Sequence, residues 1–243
     1  MSPLQRPRSA RTCLAWLRVL LLFSPLLFAA SCESDGYDTG DGTLSYMRAD
    51  FVEAYTDGDS NIEYVITDDD ELLTLASPAA VSWMTVADTM YRALLYYDIL
   101  TLEPITVSSV SVPSIVMYDD VVADSYSALE DIPTDPLYWD SSWISSNGRY
   151  INLGMTLMLG AEDGEIGTQS LGMVCTDVTT DDDGTTVISL LLVHDQNDVP
   201  QYYSQRFYVS IPVSYLPCTT QEGDRVILTV NTYDGEQTKE FEL

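Results

Sequence analysis

The chain has 243 residues, 46% of them hydrophobic and 10% aromatic, with 38 acidic side chains against 10 basic ones and a formal charge of −28. That apolar share can fill a packed core, so the chain is not a disordered acidic polymer. The charge excludes nucleic acid as a partner, because phosphate binding needs basic side chains to displace counterions. Anionic lipid headgroups are repelled for the same reason.

In chain order, Arg6, Arg8, Arg11 and Arg18 precede an uncharged apolar segment over 19–30, the layout of a secretory signal peptide. A membrane span needs about 20 apolar residues. Arg18 shortens this one and Cys32 with Glu33 ends it, so residues 1–31 are expected to target the chain rather than to stay in the bilayer. Ala29, Ala30 and Ser31 are small enough for a peptidase. The thiol of Cys32, directly behind them, is placed to carry a diacylglycerol thioether and acyl chains such as palmitate. Two or three acyl chains anchor a protein stably where one holds it marginally. Ordinary secretion, with cleavage near Ala30 or Ser31, is the alternative. Removing 1–31 leaves six basic residues against 38 acidic ones, a formal −32. Residues 32–43, with Glu33, Asp35, Asp38 and Asp41 among glycines, bury almost nothing and are expected to form a flexible acidic tether.

Alternating or short apolar runs predict five strands over 44–55, 61–67, 71–75, 91–100 and 105–116. They make a small barrel domain, 44–117. Pro78 and the β-branched residues around it oppose a helix in "SPAAVSWMTVADTM", leaving a short helix or a loop there. Over 118–140 alternation is lost, acids accumulate, and Pro133 and Pro136 intervene, which predicts a linker. The domain 141–243 is clearer. Ile151, Leu153, Met155 and Leu157 share one strand face, as do Phe207, Val209, Ile211 and Val213. Asp183–Gly184 and Asp234–Gly235 mark hairpin turns, and Val226, Leu228 and Val230 precede a return through Phe241 and Leu243. The fold class expected is all-β, with an N-terminal five-stranded barrel followed by a C-terminal antiparallel β-sandwich.

Catalytic chemistry finds little footing. His194, the only histidine, ends an apolar strand before Asp195, and no GxSxG elbow is present; "GTQSLG" from Gly167 has the wrong spacing. A strand-end packing histidine is therefore the reading, and no catalytic residue is assigned. Asp57, Asp59 and Asn61 mimic the first ligands of a calcium loop, but Ile62 stands where that loop needs glycine. The tracts 68–71 and 181–183 read as solvated turns. No metal site and no cofactor is expected, since the cysteines and single histidine lack zinc spacing. Cys175 and Cys218 remain in the mature chain as either a disulfide, adding about 3 to 5 kcal/mol on the chain-entropy model, or two separate thiols.

The order of "CESDGYD" at Cys32, "YRALLYYDIL" with "ITVSSVSV", "WISSNGRYINLGM", "LLLVHD" and "VILTVNTYDGE" resembles the NigD-like lipoproteins of anaerobic gut and oral bacteria. The resemblance implies an N-terminal OB-like domain and a C-terminal sandwich. The family's biochemical role is not established, and the residues taken together lead to the expectation of a non-catalytic binding or accessory protein of the cell envelope, lipid-anchored to the outer membrane and facing the periplasm or the surface. Its partner would be an unidentified protein or glycan, and the family's name-giving operon adds bacteriocin immunity or export as an alternative. OB-like barrels often grip oligonucleotides or oligosaccharides. With Arg48 and Arg92 the only bases over 44–116, the first use fails on charge. Tyr46, Phe51, Tyr55, Tyr64, Trp83, Tyr91, Tyr96 and Tyr97 either stack on sugar rings or fill the core.

Overall fold

A computed structural model describes residues 47–117, 132–162 and 165–243. The signal segment, the tether with Cys32, and Tyr46 lie outside the described residues. Strands β1 (Arg48–Thr56), β2 (Asn61–Thr67), β3 (Leu72–Ala80), β4 (Met90–Leu102) and β5 (Ile105–Ser111) close a barrel in the order β1-β2-β3-β5-β4. The pairings are antiparallel except for β3 with β5. This is the five-stranded Greek-key arrangement expected of an OB-like domain. Its filling comes from one parity of β1, β3 and β4, with Val52 and Ala54 of β1, Leu73 and Leu75 of β3, and Ala93, Leu95, Tyr97 and Ile99 of β4, while β2 adds Ile62 and Val65 on either side of a register shift. A fully buried aliphatic side chain of this kind contributes about 1.5–3 kcal/mol.

Two boundaries differ from the sequence reading. The 71–75 strand continues to Ala80, so Ser77–Ala80 is extended and the rest of "SPAAVSWMTVADTM" is loop rather than helix. The strand expected over 105–116 stops at Ser111. Backbone bonds from Leu94 N to Pro113 O and from Ile115 N to Arg92 O hold the next residues against β4. The chain then leaves the barrel as β6 (Val116–Met117), which pairs with the sandwich.

Of the stretch 118–140, residues 118–131 lie outside the described residues. Thr134 bridges to His194 and Leu137 to Thr232, and β7 (Tyr138–Ile144) begins within it. After β7 come β8 (Tyr150–Leu159), the two-residue strands β9 (Ala161–Glu162) and β10 (Glu165–Ile166), β11 (Ser170–Thr180), β12 (Thr186–Asp195), β13 (Tyr203–Pro212), β14 (Arg225–Thr232) and β15 (Gly235–Glu242). Two four-stranded sheets result, ordered β6-β13-β8-β7 and β11-β12-β14-β15. Most pairings are antiparallel; β6 with β13 and β12 with β14 are parallel. Gly184 and Gly235, with φ of 91° and 103°, take the left-handed positions that their hairpin turns require.

The inner faces carry Ile151, Leu153 and Met155 against Ile188, Leu190, Val226 and Leu228. Barrel and sandwich belong to one compact unit, Tyr46–Leu243. The outer face of β8 and β13 receives the barrel: Phe51 of β1 meets Trp143 and Tyr208 edge-on, both at 5.2 Å. Gly154 lies under Tyr208, where a Cβ would collide with Ser141 and press on the tyrosine ring. Among the described residues no helix is long and apolar enough to cross a membrane.

Candidate functional site

The densest polar constellation sits where the barrel meets the sandwich. Because Ala93 and Leu95 point into the barrel, Arg92 points out of it, yet it is only 2% exposed. Its guanidinium grips Asp68 with two bonds, Nη1 to Oδ1 at 2.7 Å and Nη2 to Oδ2 at 2.8 Å. From the sandwich, Ser210 Oγ accepts from Nε at 3.1 Å and Asn152 Oδ1 accepts from Nη2 at 3.2 Å. Ser210 in turn donates to Asn152 Oδ1, and Asn152 Nδ2 donates to Asp68 Oδ2. The Tyr150 ring lies 3.9 Å from the guanidinium carbon, a cation–π contact.

A second ring of bonds surrounds this core. Glu53, itself buried, accepts from Tyr150 Oη at 2.9 Å and from Tyr55 Oη at 3.1 Å. Arg149 reaches Asp70 at 2.7 Å and Glu53 at 3.4 Å, and Asn147 N donates to Asp68 O. The tract 68–71 is the turn it was read as, with Asp69, Asp70 and Glu71 exposed, but Asp68, its side chain 16% exposed, is a docking group, and Asp70 pairs with Arg149 from the surface. The charges are mutually consumed, so the constellation joins two modules rather than leaving polar groups free for a ligand.

Removing one partner of a buried pair strands the other, which costs about 3–5 kcal/mol. Arg92→Met is therefore expected to lower the urea midpoint sharply, and Arg92→Met with Asp68→Leu to recover part of that loss, measured by denaturation at neutral pH.

Two tyrosines tie the fold to pH. Burial, then the hydrogen bond to Glu53 and its charge, push the Tyr150 hydroxyl well above its ordinary value. Burial and the 2.6 Å bond to Asp50 do the same for Tyr97. Each proton is held more tightly folded than unfolded, so the stabilisation is whole below the unfolded tyrosine value and shrinks as pH rises beyond it. The loss is about 1.4 kcal/mol per pH unit and per tyrosine above about pH 10. Alkaline urea titrations should show that slope, and Tyr150→Phe should reduce it.

His194 is 3% exposed, with an oxygen facing each ring nitrogen: Nδ1 lies 2.9 Å from Asp135 O and Nε2 2.9 Å from Gln169 Oε1, and the tautomer decides which of the two accepts from the ring N–H. Gln169 belongs to the "GTQSLG" string, so that string supplies an amide to the histidine and no nucleophile. Its Nε2 donates to Met158 O, which fixes the amide. Asp195 turns away, accepting from Asn197 N. The backbone of His194 also bonds Pro133 and Asp135, clamping the incoming segment onto β12. Asp57 accepts from Asp59 N and Asn61 N, bonds that hold its carboxyl below the usual range. Among the described residues no group of three or more His, Cys, Asp or Glu side chains converges as a metal site.

Cys175 is buried in the sandwich core and Cys218 is half-buried against it, both as free thiols. Burial, with smaller contributions from neighbouring Cys218 and Asp177, pushes the Cys175 thiol up to about 11. Cys32 lies outside the described residues. The barrel aromatics are mostly spent on packing: Tyr97 is buried, Trp83 and Tyr91 pack against the barrel core, and Tyr55 stacks on Tyr64 at 4.8 Å.

Residues 120–243 match the model of the NigD-like C-terminal beta sandwich domain. The chain belongs to the NigD-like family. Solved structures share the fold over most of this NigD-like chain. A NigD-like immunity protein from Bacteroides caccae is 22% identical, with a TM-score of 0.60 over 82% of this chain and 97% of its own. A protein from Parabacteroides distasonis, named as a candidate toxin-related protein, is 19% identical, with a TM-score of 0.62 over 82% and 93%. A candidate lipoprotein from Bacteroides fragilis is 15% identical, with a TM-score of 0.56 over 81% and 97%. No curated protein matches the chain.

Proposed function

We propose that this NigD-like chain is a lipid-anchored protein of the cell envelope that binds or assists a partner and does not catalyse. The observation that carries this reading is the commitment of its reactive groups to structure: the single histidine is buried with an oxygen 2.9 Å from each ring nitrogen, and Arg92 is locked to Asp68. General acid–base chemistry needs a proton-transfer group free to reach substrate.

The anchor rests on Cys32 behind its apolar segment, and the fold likeness to a candidate lipoprotein agrees with it. In this reading residues 1–31 are removed, 32–43 form the tether, 44–117 the barrel domain, 118–140 the linker and 141–243 the sandwich. Two or three acyl chains on Cys32 hold the body at the outer membrane.

The test uses intact cells labelled with palmitate and then treated with protease. Wild type should carry label, and Cys32→Ala should lose it. Digestion of labelled protein places it at the cell surface, whereas protection places it in the periplasm. An unlabelled wild type would overturn the anchor.

A second reading, immunity or export support for a bacteriocin, is favoured by the name of the B. caccae relative. It requires that deletion of the chain sensitise cells to a bacteriocin encoded beside it, and unchanged sensitivity would sink it.

A further inference from the structure

Outside the junction, two of the sandwich's four edge strands, β7 and β15, flank one side of it, with β6 and β11 at the other ends of the two sheets. A groove of about 280 Å³ runs there, lined by Trp139, Asp140, Ser141, Ser142, Gln237, Thr238 and Lys239. Register explains its polarity. In β15, Gln237 and Lys239 share the parity of Phe241, which pairs with Val226 and enters the core. They therefore point toward the interior side of the strand, where polar atoms replace the core. Lys239 Nζ donates to Ser142 O of β7 and lies 5.2 Å from the Phe241 ring centroid. Of Asp140, Oδ2 takes the bonds from Thr156 and Arg206, and Oδ1 has no partner among the described hydrogen bonds.

Directly before the groove-lining Trp139 in the chain, Tyr138 belongs to an aromatic pair. It packs against Tyr233 with ring centroids 4.6 Å apart. Tyr233 Oη touches Gln201 Oε1 at 3.5 Å, and Tyr202 beyond it is 74% exposed. Tyr138 and Tyr233 are 45% and 38% exposed, so their rings are only half used by the fold.

We propose that this groove and this tyrosine pair bind a neutral oligosaccharide. Tyrosine rings offer broad apolar faces at low entropic cost, matching the C–H faces of a pyranose. Beside them stand a carboxylate oxygen, an amide, three hydroxyls and an ammonium, which suit sugar hydroxyls as donors and acceptors. The lining carries one aspartate, itself paired with Arg206, and one lysine, so no cluster of like charge selects a charged ligand, and the strongly acidic chain repels polyanions.

A peptide strand is the poorer occupant. The register of β7 slips between Trp139 and Ser141, and Lys239 points inward from β15. Both devices oppose the addition of a strand to a sheet edge. The inference deepens the binding-protein reading and rests on it. It is independent of the anchor, because palmitate labelling reads Cys32 alone.

The test titrates the full-length protein in detergent with maltohexaose, cellohexaose, xylohexaose and mannohexaose, and with chondroitin sulfate, by calorimetry. At least one neutral hexasaccharide should bind at millimolar concentration or below. Tyr138→Ala with Tyr233→Ala should weaken that binding by about tenfold or more. Tyr138→Phe, which keeps the ring, and Tyr215→Ala, an exposed tyrosine away from the groove, should leave it unchanged. Silence toward every neutral probe overturns the proposal. So does binding that the double variant leaves intact while its thermal unfolding matches wild type, or binding of chondroitin sulfate alone.

Discussion

The geometry of this protein depends on one arginine taken out of water. A guanidinium buried at the meeting of two β-modules is costly unless each of its donors is met. Here a carboxylate from the β2–β3 turn supplies the countercharge, and Asn152 and Ser210 of the sandwich supply the remaining acceptors. The ion pair is made within the barrel, but its desolvation is completed by the sandwich. Separating the modules would leave the pair short of two polar partners and the Tyr150 ring. Domains joined by small polar contacts usually move against each other. The Arg92 network, with Phe51 wedged between Trp143 and Tyr208, instead gives the junction the connected bonding of an interior.

What the sequence disclosed follows from which strands have one buried face. In β12 and β14, burial alternates residue by residue, and the period-two pattern gave their inward residues directly. In β4 and β8 it does not, because both faces are covered. Arg92 and Leu94 lie under the sandwich while Ala93 and Leu95 fill the barrel, and Asn152 and Ile151 are both fully buried. An arginine inside "YRALLYYDIL" is legible as an anomaly, the one basic residue in a run with no polar face. Its partner was hidden, since Asp68 sits in a tract of four acids whose composition announces only a turn. Which of the four meets the arginine is decided by tertiary register.

His194 teaches the same lesson from the other direction. The sequence read it as a packing histidine at a strand end, and it is buried there, yet nothing local connected it with Gln169 or with Asp135. Those contacts arise because β11 pairs with β12, and because the segment after the linker returns along β12 before entering the other sheet. The histidine thus marks the place where the chain crosses between layers, which explains a buried imidazole in a protein with no evident use for a base. The barrel aromatics, read as either stacking on sugar or filling the core, mostly do the latter. Barrel strands curve their aromatics into a closed core or onto the sandwich, whereas the sandwich's side between β7 and β15 has no second layer to cover Tyr138 and Tyr233.

These features constrain one another. Docking the barrel on the outer face of β8 and β13 consumes that surface, with Gly154 permitting Tyr208 to lie close. The opposite choice, docking at the β7–β15 side, would have paired or capped two free edges and removed the groove. Because the junction lies elsewhere, the edges need their own protection, and the inward lysine and the slipped register of β7 provide it. The same polar groups that repel a strand can engage hydroxyls, since a sugar brings no backbone ladder to complete. Edge protection and a polar groove are therefore two consequences of one choice, the placing of the barrel on the outer face of β8 and β13.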